Sequence, residues 1–153
     1  MIGSLQEQAG ELSLALEWGL VDLDSVVRWA DENILEGEVV DTQLLDVSLA
    51  ADPKSALTGL NYLAQGSDLW PSVASVLRRM LEIGDLSPEH ASHLAKQIYF
   101  LAMHKDAPEA YSNLMHHWDY IDLAIDGVLE SPEQATKEFI RDVSELVEAL
   151  PGA

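Results

Sequence analysis

The sequence predicts an all-α fold, with about seven or eight helices in a single compact domain over residues 1–153. Apolar residues recur at spacings of three and four along nearly the whole chain, which is the period of an amphipathic helix. Prolines and capping side chains stand where these apolar stripes begin, and glycines stand where they end. The run 38–41 is the one strand-like segment, and it is too short to build a sheet.

Four helices are predicted in the first half of the chain, each with an apolar stripe and a boundary signal. The stripes cover residues 5–16, 23–34, 44–49 and 57–63. The boundary signals, in chain order, are Gly19, Asp22 or Asp24, Gly37, Asp41 or Thr42, Pro53 and Gly66. The short third stripe is predicted to bury Leu44, Leu45 and Leu49.

The second half of the chain predicts four further helices on the same grounds. Their stripes cover residues 73–80, 91–102, 111–125 and 135–150. The start signals are Pro71, Ser87-Pro88, Pro108 and Ser131-Pro132. Helix–glycine–link patterns recur at Gly19, Gly84 and Gly127, but at unequal spacings, whereas repeat families keep a fixed period. We therefore expect bundle or short helical-repeat-like packing.

Acidic residues are concentrated at the two ends of the chain. Residues 1–52 hold 12 acidic side chains against one basic, residues 53–105 hold 4 against 5, and residues 106–153 hold 11 against 2. The net charge of −19 exceeds the magnitude of about 2–8 that suits a small soluble domain. Such a charge attracts cationic partners and repels nucleic acid and anionic membranes. With so few lysines and arginines, we expect neither nucleic-acid nor membrane binding.

The sequence also predicts a cytoplasmic location. The chain has no cysteine, which suits a reducing compartment and excludes disulfides, thiolate metal sites and a thiol nucleophile. Its first residues lack the basic and apolar regions of a signal peptide. No apolar run approaches the length that a bilayer-spanning helix needs.

The acidic first third of the chain is the predicted surface for a basic protein partner. Carboxylates lie away from the apolar stripe of the second helix and continue into the loop that follows. A tryptophan beside that stripe could anchor the partner. The predicted partner-binding residues are Trp29, Asp31, Glu32, Glu36, Glu38 and Asp41.

The helix after Pro88 carries a second stripe, which predicts an alternative binding face. Its residues are His90, His93, Gln97, Phe100 and His104. A helix with two stripes is buried on two sides or meets a partner, so this face predicts a helical adaptor or a homodimer. Two histidines three residues apart could also hold a metal, but the sequence fixes no third ligand. We therefore expect no metal site and no cofactor.

No catalytic motif supports an enzyme. The chain has no Gly-x-Ser-x-Gly element and no glycine-rich phosphate loop, and spaced carboxylates arise by chance among 27 acids. A metal- or carboxylate-dependent enzyme is therefore the least favoured hypothesis. His116 and His117 are adjacent, so they point to different faces and do not easily share a ligand. The sequence predicts a partly exposed histidine pair beside a buried Trp118.

The stretch 15–34 carries a family resemblance through Gly19-Leu20 and Trp29-Ala30-Asp31. It resembles small, acidic, all-helical bacterial proteins, some of which are similar to immunity proteins encoded beside polymorphic toxins. This resemblance covers about 20 of the 153 residues. It implies a cytoplasmic protein, without enzymatic activity, that binds and blocks a toxin, often a basic nuclease, through an acidic surface.

Overall fold

The computed structural model describes residues 3–37, 41–128 and 131–150. Within these ranges the chain forms eight α-helices, one 3-10 helix and no strand, which confirms the predicted all-α fold. The elements are α1 (Leu5–Glu17), α2 (Leu23–Glu36), α3 (Thr42–Ser48), α4 (Pro53–Leu63), α5 (Leu69–Leu81), α6 (Pro88–Ala102), the 3-10 helix (Glu109–Leu114), α7 (His117–Ile125) and α8 (Pro132–Ala149). None of the helices in the described part combines the length and the apolarity needed to cross a bilayer.

Side-chain caps explain why most helices begin where they do. In six helices the residue before the first turn accepts a hydrogen bond from a backbone N–H that has no partner inside the helix. These N-caps are Ser4, Asp22, Asp41, Asp52, Ser87 and Ser131. Each such cap typically stabilises a helix by about 1 kcal/mol. Pro53, Pro88 and Pro132 occupy the first helical turn, as their fixed φ angle favours.

Two predicted boundaries differ from the structure. Helix α5 begins at Leu69, two residues before Pro71, and its first turn tolerates the proline because N–H groups there have no intrahelical acceptor. The single helix predicted from Pro108 to Gly127 is wrong. It divides into the 3-10 helix and α7, because the packing of the segment against α6 and α8 buries Tyr111 and Leu114 in a 3-10 turn.

The chain divides into two compact units between Val76 and Leu77, within α5. We call residues 1–76 the N-terminal unit and residues 77–153 the C-terminal unit. Each unit contains enough packed helices to form an apolar core of its own. The assignment of residues 1–153 to one domain stays a prediction.

In the N-terminal unit, α4 packs against both α1 and α3, and α2 packs against α3. These contacts close the helices around a core that includes Leu12, Leu16, Val26, Val47 and Leu60. Helices α3 and α4 approach closely at Gly59, where an added Cβ would lie 2.6 Å from Cγ2 of Val47. Only glycine allows this approach without displacing Val47.

In the C-terminal unit, α6 and α8 form the centre. Helix α6 contacts α7, α8 and the 3-10 helix, and α8 also contacts α7 and the 3-10 helix. The enclosed side chains include Leu94, Ile98, Ile121, Phe139 and Val143, which have no exposed surface. Such burial stabilises the unit by roughly 1.5–3 kcal/mol for each large apolar side chain.

Candidate functional site

The structure presents four of the predicted acidic residues on neighbouring elements of the N-terminal unit. Asp31, Glu32 and Glu36 are exposed on the C-terminal half of α2, and Asp41 is exposed at the start of α3. We call these four residues the acidic surface. Glu38, which was predicted to join them, lies outside the described residues.

The packing of α2 determines the direction of its carboxylates. Helix α2 buries Val26, Trp29 and Ala30 in the core, so the side chains on the opposite side of the helix face solvent. The Ser48 hydroxyl on α3 donates a hydrogen bond to Oδ1 of Asp31. Oδ1 of Asp41 accepts a 2.7 Å hydrogen bond from the backbone N–H of Gln43. Asp31 and Asp41 are therefore held in place by α3.

Trp29 lies in the core beneath this surface. Its side chain is 8 % exposed, and its Nε1 donates a 2.8 Å hydrogen bond to Oε1 of Gln8 on α1. The sequence predicted Trp29 as an anchor for a partner. With so little accessible area, the ring instead packs in the core and holds α2 against α1.

Exposed leucines accompany the acidic surface, and the sequence did not predict their exposure. Leu35 on α2 is 85 % exposed, and Leu49, directly after α3, is 79 % exposed. The prediction that Leu45 and Leu49 are core residues is wrong, because the buried face of α3 is formed by Leu44 and Val47. These leucines place exposed apolar area on the elements that carry the acidic surface.

The acidic surface has little positive charge beside it in the described part of the chain. There, none of the four carboxylates lies within salt-bridge distance of a lysine or arginine. Arg28 lies one helical turn before Asp31 and Glu32 and forms no salt bridge with either of them. The carboxylates of the acidic surface are therefore available to the basic side chains of a partner.

The second predicted face lies on α6 in the C-terminal unit. His93 and Phe100 are exposed, whereas His90 and Gln97 are half-buried. His104 is exposed beyond the end of α6, and its Nδ1 accepts a hydrogen bond from the backbone N–H of Asp106. The structure thus spreads the predicted residues along one helix and the turn after it.

An aromatic cluster adjoins this second face. The Phe100 ring lies 5.5 Å from the Tyr99 ring and 5.8 Å from the Trp118 ring, measured between centroids. Nζ of Lys96 lies 5.7 Å from the centre of the Trp118 ring, within the range of a cation–π interaction. Phe100 remains 54 % exposed and Met103, after the helix, 59 % exposed.

A third group of polar side chains joins α7 to α8. Nε2 of His117 lies 2.7 Å from Oδ2 of Asp142, and the His116 ring lies 4.0 Å from the His117 ring. His116 is exposed and His117 is buried, so the pair is partly exposed as predicted, whereas Trp118, which was predicted to be buried, is half-buried. The expectation that the adjacent His116 and His117 do not easily share a ligand is not met, because ligand atoms of both lie within 4.8 Å of one another and of Asp142. Asp142 lies 25 residues from His117, so sequence spacing could not place it beside the pair.

The His117–Asp142 pair has perturbed proton affinities. Burial lowers the pKa of His117, and this outweighs the hydrogen bond to Asp142 that acts to raise it. Burial acts to raise the pKa of Asp142, but the hydrogen bond from His117 and the charge of neighbouring Arg141 outweigh burial and leave that pKa lowered. Near neutral pH the pair is therefore a neutral imidazole that donates to a carboxylate.

We expect the free energy of unfolding to decrease as the pH falls below about 6.5. The unfolded chain protonates His117 at a higher pH than the folded chain does, so acid favours unfolding. Asp142 adds to this loss at lower pH, since its contribution is present above about pH 3.8 and disappears as the pH falls through its lowered pKa. Urea denaturation in chelator-containing buffers at about pH 7.5 and about pH 5.5 measures the effect.

His117→Gln should reduce this pH dependence, while His93→Gln, at an exposed histidine, should retain it. An undiminished dependence in His117→Gln would show that other groups cause the acid sensitivity.

Comparisons of the chain with protein-family models, with curated proteins and with solved structures give no match.

Proposed function

We propose that this protein is a non-enzymatic, cytoplasmic binding protein and that its acidic surface binds a cationic protein partner. The immunity-type inhibition of a basic bacterial toxin is the form of this function that we favour. The observation that supports it most is the group of exposed carboxylates at Asp31, Glu32, Glu36 and Asp41, which form no salt bridge with any described residue.

Two kinds of interaction would act together in such a complex. The negative potential would increase the rate of encounter with a basic partner, as complementary charge does in other complexes. Leu35 and Leu49 would then supply apolar contact area, which charges alone do not provide. Occlusion of the partner's basic site would block its activity.

The four carboxylates differ in how strongly hydrogen bonds restrain their side chains. Asp31 and Asp41 are fixed by hydrogen bonds to α3, so they can present charge without losing further side-chain freedom. Glu32 and Glu36 are exposed on the last turns of α2, and their side chains form no such hydrogen bond among the described contacts. We therefore expect the aspartates to orient the partner and the glutamates to adapt to its basic side chains.

Affinity capture from a lysate of the source organism tests the proposal, with the full chain as bait and mass spectrometry as the readout. We expect one dominant basic protein that is retained at low salt and released as salt rises, because salt screens surface charges. A set of captured proteins without a basic member would contradict the proposal.

A second candidate function, a homodimeric adaptor, is favoured by the exposure of Phe100 and Met103 beside the aromatic cluster. A copy-to-copy contact through this face would bury both side chains. Phe100→Glu should then yield monomers in analytical ultracentrifugation. Tyr62→Glu, at a similarly exposed aromatic residue of the N-terminal unit, is the matched control. An unchanged oligomeric state in Phe100→Glu would exclude this face as a dimer contact.

A further inference from the structure

Three potential metal ligands meet between the start of α7 and the middle of α8. His116, His117 and Asp142 each offer one ligand atom, and these atoms lie within 4.8 Å of one another. The ligand atoms around one tetrahedral ion with bonds of about 2.0–2.2 Å are separated by a little over 3 Å. The three side chains are therefore close enough to converge on one ion after small rotations.

The chemistry of the three donors suits a borderline divalent ion. Imidazole nitrogens bind zinc and neighbouring transition metals, and a carboxylate completes many such sites. Metal binding requires a neutral histidine and an ionised carboxylate. Nε2 of His117 and Oδ2 of Asp142 already lie 2.7 Å apart, so these two donors need only small movements to bind one ion.

We propose that His116, His117 and Asp142 bind a divalent transition-metal ion, with Zn²⁺ as the best match. The ion would replace the 2.7 Å hydrogen bond between Nε2 of His117 and Oδ2 of Asp142. Three protein ligands leave a tetrahedral ion one position for water. This site lies in the C-terminal unit, so the proposal is independent of the acidic surface.

The neighbouring side chains fix His117 and Asp142 in place, whereas His116 must rotate to reach the ion. His117 is 3 % exposed, and its ring packs 5.4 Å from the ring of Phe139, so its position is set by the core. The other carboxylate oxygen of Asp142, Oδ1, lies 3.3 Å from Nε of Arg141, and this ion pair restrains the Asp142 side chain. His116 must turn its ring away from the His117 ring and past the Tyr120 ring, whose centroid lies 5.4 Å away, and the exposed side of His116 leaves space for that rotation. The exposed ligand also gives the ion access from solvent.

Isothermal titration of the full-length protein with Zn²⁺, in excess Mg²⁺, tests the proposal. Mg²⁺ prefers oxygen ligands and should occupy exposed carboxylates without competing for imidazoles. We expect one Zn²⁺ per chain for the wild type. His116→Ala should weaken this binding by at least about tenfold, whereas His93→Ala should not change it.

Asp142→Asn provides a second variant, because an amide oxygen can still accept the hydrogen bond of His117 while the ligand charge is lost. We expect it to bind Zn²⁺ at least about tenfold more weakly and to keep the far-ultraviolet circular dichroism of the wild type. Co²⁺ supplies a spectroscopic readout, since ligation by imidazoles in a four-coordinate site produces strong visible absorption. Equal Zn²⁺ affinity in the wild type, His116→Ala and Asp142→Asn, or no Zn²⁺ binding in excess Mg²⁺, would overturn the proposal.

Discussion

Replacing Phe139 with alanine is expected to lower the free energy of unfolding by about 3–5 kcal/mol. The Phe139 side chain is completely buried on α8 and packs 5.4 Å from the buried His117 ring. Its removal would eliminate apolar burial and leave a cavity between α7 and α8 that close-packed neighbours fill only in part. Guanidinium denaturation, followed by circular dichroism, measures the change through the transition midpoint.

Phe100→Ala is the matched control for this experiment, because it removes the same atoms from a side chain that is 54 % exposed. We expect this change to cost about 1 kcal/mol or less, since the ring is already largely in water. A similar loss of stability in both variants would contradict the assignment of Phe139 to the core of the C-terminal unit.

The paired substitution Glu32→Lys and Glu36→Lys is expected to slow association with the captured basic protein by about tenfold or more at low salt. Both side chains are exposed on the last turns of α2, and each substitution exchanges an attractive charge for a repulsive one. Lysines near the C-terminus of a helix interact favourably with its dipole, so the variant should fold. Stopped-flow or surface-based kinetics over a range of salt concentrations measure the rate.

A control variant with the same change in net charge distinguishes the effect of the acidic surface from the effect of the total charge of the chain. Glu82→Lys with Asp85→Lys alters two exposed acids that follow α5, outside the acidic surface. We expect this variant to associate at close to the wild-type rate and to retain most of the salt dependence. If both variants slow association equally, the net charge of the chain and not the acidic surface directs the encounter.

Helix boundaries could be predicted from the sequence because their signals are local. Asp22, Asp41, Ser87 and Ser131 each cap a helix that begins at the next residue. The segment after Pro108 was predicted incorrectly because residues spaced by three fit both an α-helix and a 3-10 turn. The choice between the two depends on how the segment packs against α6 and α8.

The orientation of α3 depends on contacts that its sequence does not contain. Its leucines allow more than one buried face, and the close approach of Val47 to Gly59 on α4 favours the face that exposes Leu45. The His117–Asp142 pair is likewise a tertiary contact between α7 and α8. The charge of the acidic surface could be predicted from sequence, whereas its exposed leucines and the three-ligand cluster could not.

Amide hydrogen exchange of the chain alone and in complex with the captured protein tests the location of the partner surface most directly. Bound partners slow exchange where they exclude solvent and reduce local opening. We expect slower exchange over residues 31–37 and 41–49 in the complex, with little change in α6. Protection confined to residues 88–104, with none in α2 and α3, would contradict the acidic surface and favour the second face instead.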